Sequence, residues 1–141
     1  MFTQEQRDGW AKIVDSVHAK GASIFSQAWH QGRSAHSYFL GTQPVSSSDV
    51  AADGNVMWGG VSMPCEKPRS MTVVDIERTQ SDFVNAAKNA RSIGFDGVEI
   101  HAGNGYLFDQ FHHSNGESDL SGGPEQLTRT ISEPPNRLLR R

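Results

Sequence analysis

The sequence predicts an α/β fold in which helices feed parallel strands that they also cover. Three observations carry this. A helix, a glycine and a short apolar strand follow one another twice, over residues 3–29 and 71–101. Each strand ends on a polar side chain, Gln27 in the first and His101 in the second. A long stretch without periodicity, residues 30–70, separates the two repeats, so each strand enters the sheet in the same direction from its own helix.

The first helix starts at Thr3, three residues before Gln6, a capping-box spacing. Trp10, Ile13, Val14 and Val17 follow at i, i+3, i+4 and i+7 and predict one apolar stripe. Gly21 is the expected stop, because a residue without Cβ takes the left-handed conformation there. Ala22–Trp29 then reads as a strand, with Phe25 and Gln27 on one face and Ile24, Ser26 and Ala28 on the other.

Residues 30–70 hold Ser46-Ser47-Ser48-Asp49, Trp58-Gly59-Gly60, and prolines 44, 64 and 68. A stretch this long inside a compact chain is expected to be a lid or binding loop, with room for a small hairpin. The second helix opens at Thr72, a good N-cap, with Asp75 near its positive end and Met71 and Ile76 placed for a hydrophobic staple. Ile76, Phe83, Ala87 and Ala90 form its expected buried face, and Gly94 stops it. Gly97–His101 is read as a buried strand. Beyond Phe111 the pattern fades, and residues 127–141, with Pro134-Pro135 and a basic end, are expected to be poorly ordered.

Composition sets bounds. The 141 residues are 35% hydrophobic and 21% charged, ordinary for one soluble domain but short for a closed eight-stranded α/β barrel of roughly 250 residues. A net charge of -3 gives no electrostatic reason to expect nucleic acid or an anionic membrane as partner. One cysteine, Cys65, permits no intrachain disulfide, and no apolar run reaches membrane-span length, so a reducing, cytoplasmic location is expected.

His101, Asn104 and Tyr106 lie within six positions after the second strand. An imidazole and a carboxamide can both donate to one carbonyl oxygen and draw electrons from a conjugated C=C. A nearby phenol can deliver a proton to the carbon that turns carbanion-like after hydride attack. Gln27 offers the donor–acceptor pair that reads the edge of a planar heterocycle. Each residue alone has a plainer reading: a satisfied strand-end histidine, an Asn-Gly turn, a packed tyrosine. A metal site built from His101, His112, His113 and Asp109 is disfavoured, since adjacent histidines share no helix or strand face and no cysteine is near.

Gln27 and Trp29 within HAKGASIFSQAWHQGR, the PRSMTVVDI helix start, and GFDGVEIHAGNGYLFDQF resemble the old yellow enzyme family of flavin-dependent ene-reductases. The resemblance covers residues 3–126 and includes a weakened N-x-x-x-D-x-x-G-G pattern at Asn115–Gly123. It implies a partial (β/α)8 barrel, roughly strands three and four with their preceding helices, over residues 1–126, with 127–141 divergent. It implies FMN and NAD(P)H as cofactors and an enone as substrate. By position, Gln27 would contact the flavin, His101 and Asn104 would hold the substrate carbonyl, and Tyr106 would donate the proton. Trp29 resembles the aromatic residue that lines the pocket in some members. The family's remaining strands have no counterpart in the sequence, so a non-catalytic barrel fragment acting through a partner chain is the alternative expectation.

Overall fold

A computed structural model of the chain describes residues 3–112; the Asn115–Gly123 pattern, His113 and the 127–141 segment lie outside the described residues. In chain order the elements are α1 (Gln4–His18), β1 (Phe25–Ala28), a 3-10 turn (Gly32–Ser34), α2 (Ser37–Leu40), β2 (Val45–Ser46), β3 (Asn55–Trp58), β4 (Val61–Pro64), β5 (Arg69–Ser70), α3 (Val73–Ser92), β6 (Gly97–Ile100) and α4 (Leu107–His112). They divide into two compact units. One combines residues 3–29 with Val74–His101, and the other combines His30–Val73 with residues 102–112. No described helix is long and apolar enough to cross a membrane.

In the first unit, the Thr3 hydroxyl accepts from the Gln6 N–H at 3.2 Å and the Gln6 side chain accepts from the Thr3 N–H at 3.1 Å, completing the capping box. Both long helices end the same way. Ala22 N–H donates to Val17 O and Gly21 N–H to His18 O; Phe95 N–H donates to Ala90 O and Gly94 N–H to Arg91 O. These paired bonds around a positive-φ glycine, 73° at Gly21 and 95° at Gly94, are Schellman motifs. Each turns the chain sharply out of its helix and into its strand.

The strands β1 and β6 pair in parallel, with Phe25 opposite Gly97, Ser26 opposite Val98, Gln27 opposite Glu99 and Ala28 opposite Ile100. Beneath them Val14, Ala90 and Phe95 are buried, with Ile24 and Ile93 packed against them. Full burial of side chains of this size stabilises by about 1.5–3 kcal/mol each. The side of the sheet is pinned at its start by Asp96, whose carboxylate accepts from Ile24 N–H at 2.7 Å and bonds His18 Nε2 at 2.9 Å. The His18 bond, followed by the Ile24 N–H, holds the Asp96 carboxyl below its ordinary range.

Three expectations are corrected here. The α1 stripe is narrower than its period implies: Val14 is buried, while Trp10 and Ile13 remain 43% and 47% exposed, because only the Val14 line meets α3 residue Ala90 and Phe95. Trp10 reaches only the rim of this cluster, its ring 5.9 Å from that of Phe95. The first strand is Phe25–Ala28 rather than Ala22–Trp29, since a strand persists only where its partner runs beside it. The second strand is not buried. Val98 and Ile100 are exposed: β6 pairs on one edge only among the described residues, and the cluster of Val14, Ala90 and Phe95 meets this face at Ile24, before the strand begins.

The second unit contains the expected hairpin. β3 and β4 pair antiparallel, from Asn55 opposite Pro64 to Trp58 opposite Val61. Gly59 and Gly60 both take positive φ, 56° and 82°, as a two-residue type I′ turn requires. Trp58 stacks on Phe39 with ring centroids 4.7 Å apart. A second, unexpected pairing joins β2 and β5 in parallel, continued by Arg69 N–H to Pro44 O and Met71 N–H to Ser46 O, each 2.8 Å.

The two helix stops differ in one respect. A Cβ at Gly94 would meet Val14 Cγ1 at 3.3 Å, whereas one at Gly21 meets nothing within 4 Å. Gly21→Ala is therefore expected to cost roughly 1–2 kcal/mol from backbone strain alone, and Gly94→Ala more, measured by urea unfolding of the chain. Equal losses would show that the Val14 contact gives way freely.

Candidate functional site

Within the first unit, strand alternation places Phe25 and Gln27 on one face of β1 and Gly97 and Glu99 on the same face of β6. The pleat is tight at its base: a Cβ on Gly97 would lie 2.5 Å from the Phe25 ring, so the ring occupies the space a larger residue would need. One residue beyond β6, His101 N–H donates to Ala28 O at 2.9 Å and continues the ladder. The ladder therefore delivers Gln27 and His101 to the same, carboxyl end of the strand pair. The rings of Trp29 and His101 are 6.4 Å apart and inclined by 40°.

Gln27 is exposed, and its carboxamide makes no hydrogen bond among the described residues. A free amide at a strand end holds one acceptor beside one donor, the complement of a planar heterocycle edge that alternates the same groups. The Gln27 amide has the donor and acceptor that the edge of a flavin ring would need.

In the second unit, Asn104 and Gly105 form a turn with φ of 60° and 76°, and Asn104 is the only non-glycine residue with positive φ among the described residues. Asparagine tolerates this region better than most residues, so the turn reading of Asn104-Gly105 is correct. Tyr106 follows, half-buried, and α4 begins at Leu107, whose N–H donates to His30 O at 3.1 Å. Among the described residues no three His, Cys, Asp or Glu side chains gather as metal ligands.

Sequence reasoning missed Gln110. It is 5% exposed, and every polar atom of its side chain is engaged. Its Oε1 accepts from Arg33 N–H at 3.1 Å and Ser46 Oγ at 2.8 Å, while its Nε2 donates to Gln31 O at 3.1 Å and Gly105 O at 2.7 Å. The Ser47 hydroxyl donates to its backbone carbonyl at 2.5 Å. The available signal was one polar residue on the face that also carries Leu107 and Phe111, both buried.

Known proteins share this arrangement of elements. The family described as NADH:flavin oxidoreductase / NADH oxidase matches residues 1–127. The flavin oxidoreductase hxnT of Emericella nidulans is 42% identical over 137 residues, 94% of this chain and 35% of the relative. The 12-oxophytodienoate reductase 7 of Oryza sativa subsp. japonica is 39% identical, over 87% of this chain and 33% of its own length. Among solved structures, the old yellow enzyme homologue from Zymomonas mobilis superposes with a TM-score of 0.81 at 36% identity, covering 92% of this chain and 38% of that one. Morphinone reductase follows at a TM-score of 0.79 and 35% identity, again over 92% and 38%. The chain thus spans little more than a third of these relatives.

Proposed function

Because the chain belongs to the NADH:flavin oxidoreductase / NADH oxidase family, whose cofactors are FMN and a nicotinamide, we propose that it carries part of an ene-reductase site. The reaction is reduction of the C=C bond of an α,β-unsaturated carbonyl compound with NAD(P)H as the source of electrons. The observation that carries this reading is the run from His101 at the end of the ladder, through the Asn104-Gly105 turn, to Tyr106. Relatives named for 12-oxophytodienoate and morphinone support a carbonyl-bearing substrate. In this reading β1 and β6 are the third and fourth strands of an eight-stranded barrel whose portion here is residues 1–126, with 127–141 outside it.

Gln27 holds the edge of the flavin ring through its paired amide donor and acceptor. When bound, FMN supplies the hydride it has received from NAD(P)H. His101 and Asn104 donate to the substrate carbonyl oxygen, which takes up negative charge as the β-carbon gains hydride. The Tyr106 hydroxyl gives its proton to the α-carbon, and the phenolate recovers one from solvent, so the C=C bond gains one hydride and one proton. Trp29, whose ring lies near that of His101, lines the apolar side of the substrate.

A second reading is favoured by the exposure of Val98 and Ile100 on a parallel pair whose outer edges are unpaired among the described residues. Parallel strands are ordinarily buried on both faces, and open edges seek partners. A polypeptide confined to residues 1–141 would then bind no flavin and act only through a partner chain.

Two experiments follow. In flavin-loaded protein, Tyr106→Phe is expected to slow flavin reoxidation by an enone on the order of 10²–10⁴-fold, with flavin reduction by nicotinamide near normal in stopped flow. Equal slowing of both would remove Tyr106 as proton donor. For the second reading, purified polypeptide 1–141 is expected to show no stoichiometric flavin absorbance and a shallow thermal transition. Bound FMN with nicotinamide-dependent enone turnover would exclude it.

A further inference from the structure

We propose that Gln110 is the positioning residue that sets the direction of the Asn104 and Tyr106 side chains; the proposal rests on the reading of those two as substrate-facing. The argument begins with the peptide planes. A side chain's direction follows from the backbone on either side of its Cα, and the soft dihedrals there are fixed once the adjoining peptide planes are fixed. Gly105 sits between the two residues and has the freest backbone of any type. Left to itself, it would let Asn104 and Tyr106 turn independently.

Both planes that meet at Gly105 are tied from α4. The Gly105 N–H, in the plane shared with Asn104, donates to Asp109 Oδ2 at 2.6 Å. The Gly105 carbonyl, in the plane shared with Tyr106, accepts from Gln110 Nε2 at 2.7 Å. Adjacent helix residues thus hold the two sides of one glycine. Asp109 lies at the start of a six-residue helix and is half-buried, whereas Gln110 is buried and is itself held on three other sides.

The seat of Gln110 is built to close tolerance. Gly32 runs past the amide with φ of 59°, and a Cβ there would fall 1.9 Å from Gln110 Oε1, so only glycine admits the amide. The amide cannot turn over in this seat. Two donors, Arg33 N–H and Ser46 Oγ, face its oxygen, and two carbonyls, Gln31 O and Gly105 O, face its nitrogen. Reversal would set the amide nitrogen against the Arg33 N–H and the amide oxygen against two carbonyls, leaving buried polar groups unsatisfied. The shorter of its two donated bonds goes to Gly105, the residue that needs it.

Gln110→Glu separates positioning from packing. Its shape matches, and its oxygen still accepts from Arg33 and Ser46, but as a carboxylate it has no proton for Gly105 O or Gln31 O. Two readouts are taken. Amide hydrogen exchange at Tyr106, whose N–H shares the peptide plane of the Gly105 carbonyl and donates to Gly103 O, is expected to quicken roughly three- to tenfold, the equivalent of one net hydrogen bond. In flavin-loaded protein, reoxidation by an enone is expected to fall on the order of 10²-fold, the cost of misplacing a reacting group by about 1 Å, with nicotinamide-driven reduction changed less than about threefold. Ser46→Ala, which removes a donor to Oε1 but leaves the Gly105 bond, should lower stability without the split between half-reactions. Unaltered exchange at Tyr106, equal slowing of both half-reactions, or the same split in Ser46→Ala would each overturn the proposal. Tyr106→Phe, run alongside, separates this from the underlying reading: normal reoxidation there removes the role of Tyr106, and faster exchange in Gln110→Glu then supports control of the turn alone.

Discussion

The parallel ladder between β1 and β6 is the constraint from which the rest follows. Its register, Gln27 opposite Glu99 and Ala28 opposite Ile100, is extended by the bond from His101 N–H to Ala28 O. A slip of β1 by one residue would turn Gln27 to the opposite face and carry Ile24 away from the cluster of Val14, Ala90 and Phe95. The buried cluster and the functional face therefore depend on the same pairing. The two Schellman glycines make it possible, because each lets a helix reverse into its strand within a few residues.

What was legible in the sequence is what local chemistry decides. Thr3 with Gln6, Gly21, Gly94 and the Gly59-Gly60 turn each act over a few residues, and each does so as its residue type requires. The strand-end placement of Gln27 and His101 followed from alternation and from the glycine that precedes each strand. What was not legible depends on residues distant in sequence. Trp10 and Ile13 carry the right period but stay largely exposed, Trp10 reaching only the edge of the cluster at Phe95, so periodicity overstated the buried stripe. The two-residue β2–β5 pairing is set by contacts across more than twenty residues and leaves no periodic trace. Gln110 was hidden for a related reason: its four partners come from residues 31, 33, 46 and 105, and only the fold assembles them.

In the proposed reading, a structural requirement and a chemical one fall on a single residue, Asn104. The turn demands a residue that tolerates a φ of 60°, and asparagine does so while keeping an amide donor. A glycine would make the turn more cheaply but would offer no side-chain donor. A residue held in a sparsely populated conformation beside a strand-end histidine is where a binding function is expected to leave its mark.

The central claim is that His101 and Asn104 hold one and the same substrate oxygen. A double-mutant cycle tests it most directly: His101→Ala, Asn104→Ala and the double variant, each flavin-loaded, with enone affinity read by titration of the flavin absorbance. Two donors on one oxygen must be energetically coupled, so the double variant should depart from the sum of the single losses by about 0.5–3 kcal/mol. Strict additivity, or an affinity indifferent to either substitution, would contradict the account and return both residues to strand-end and turn roles.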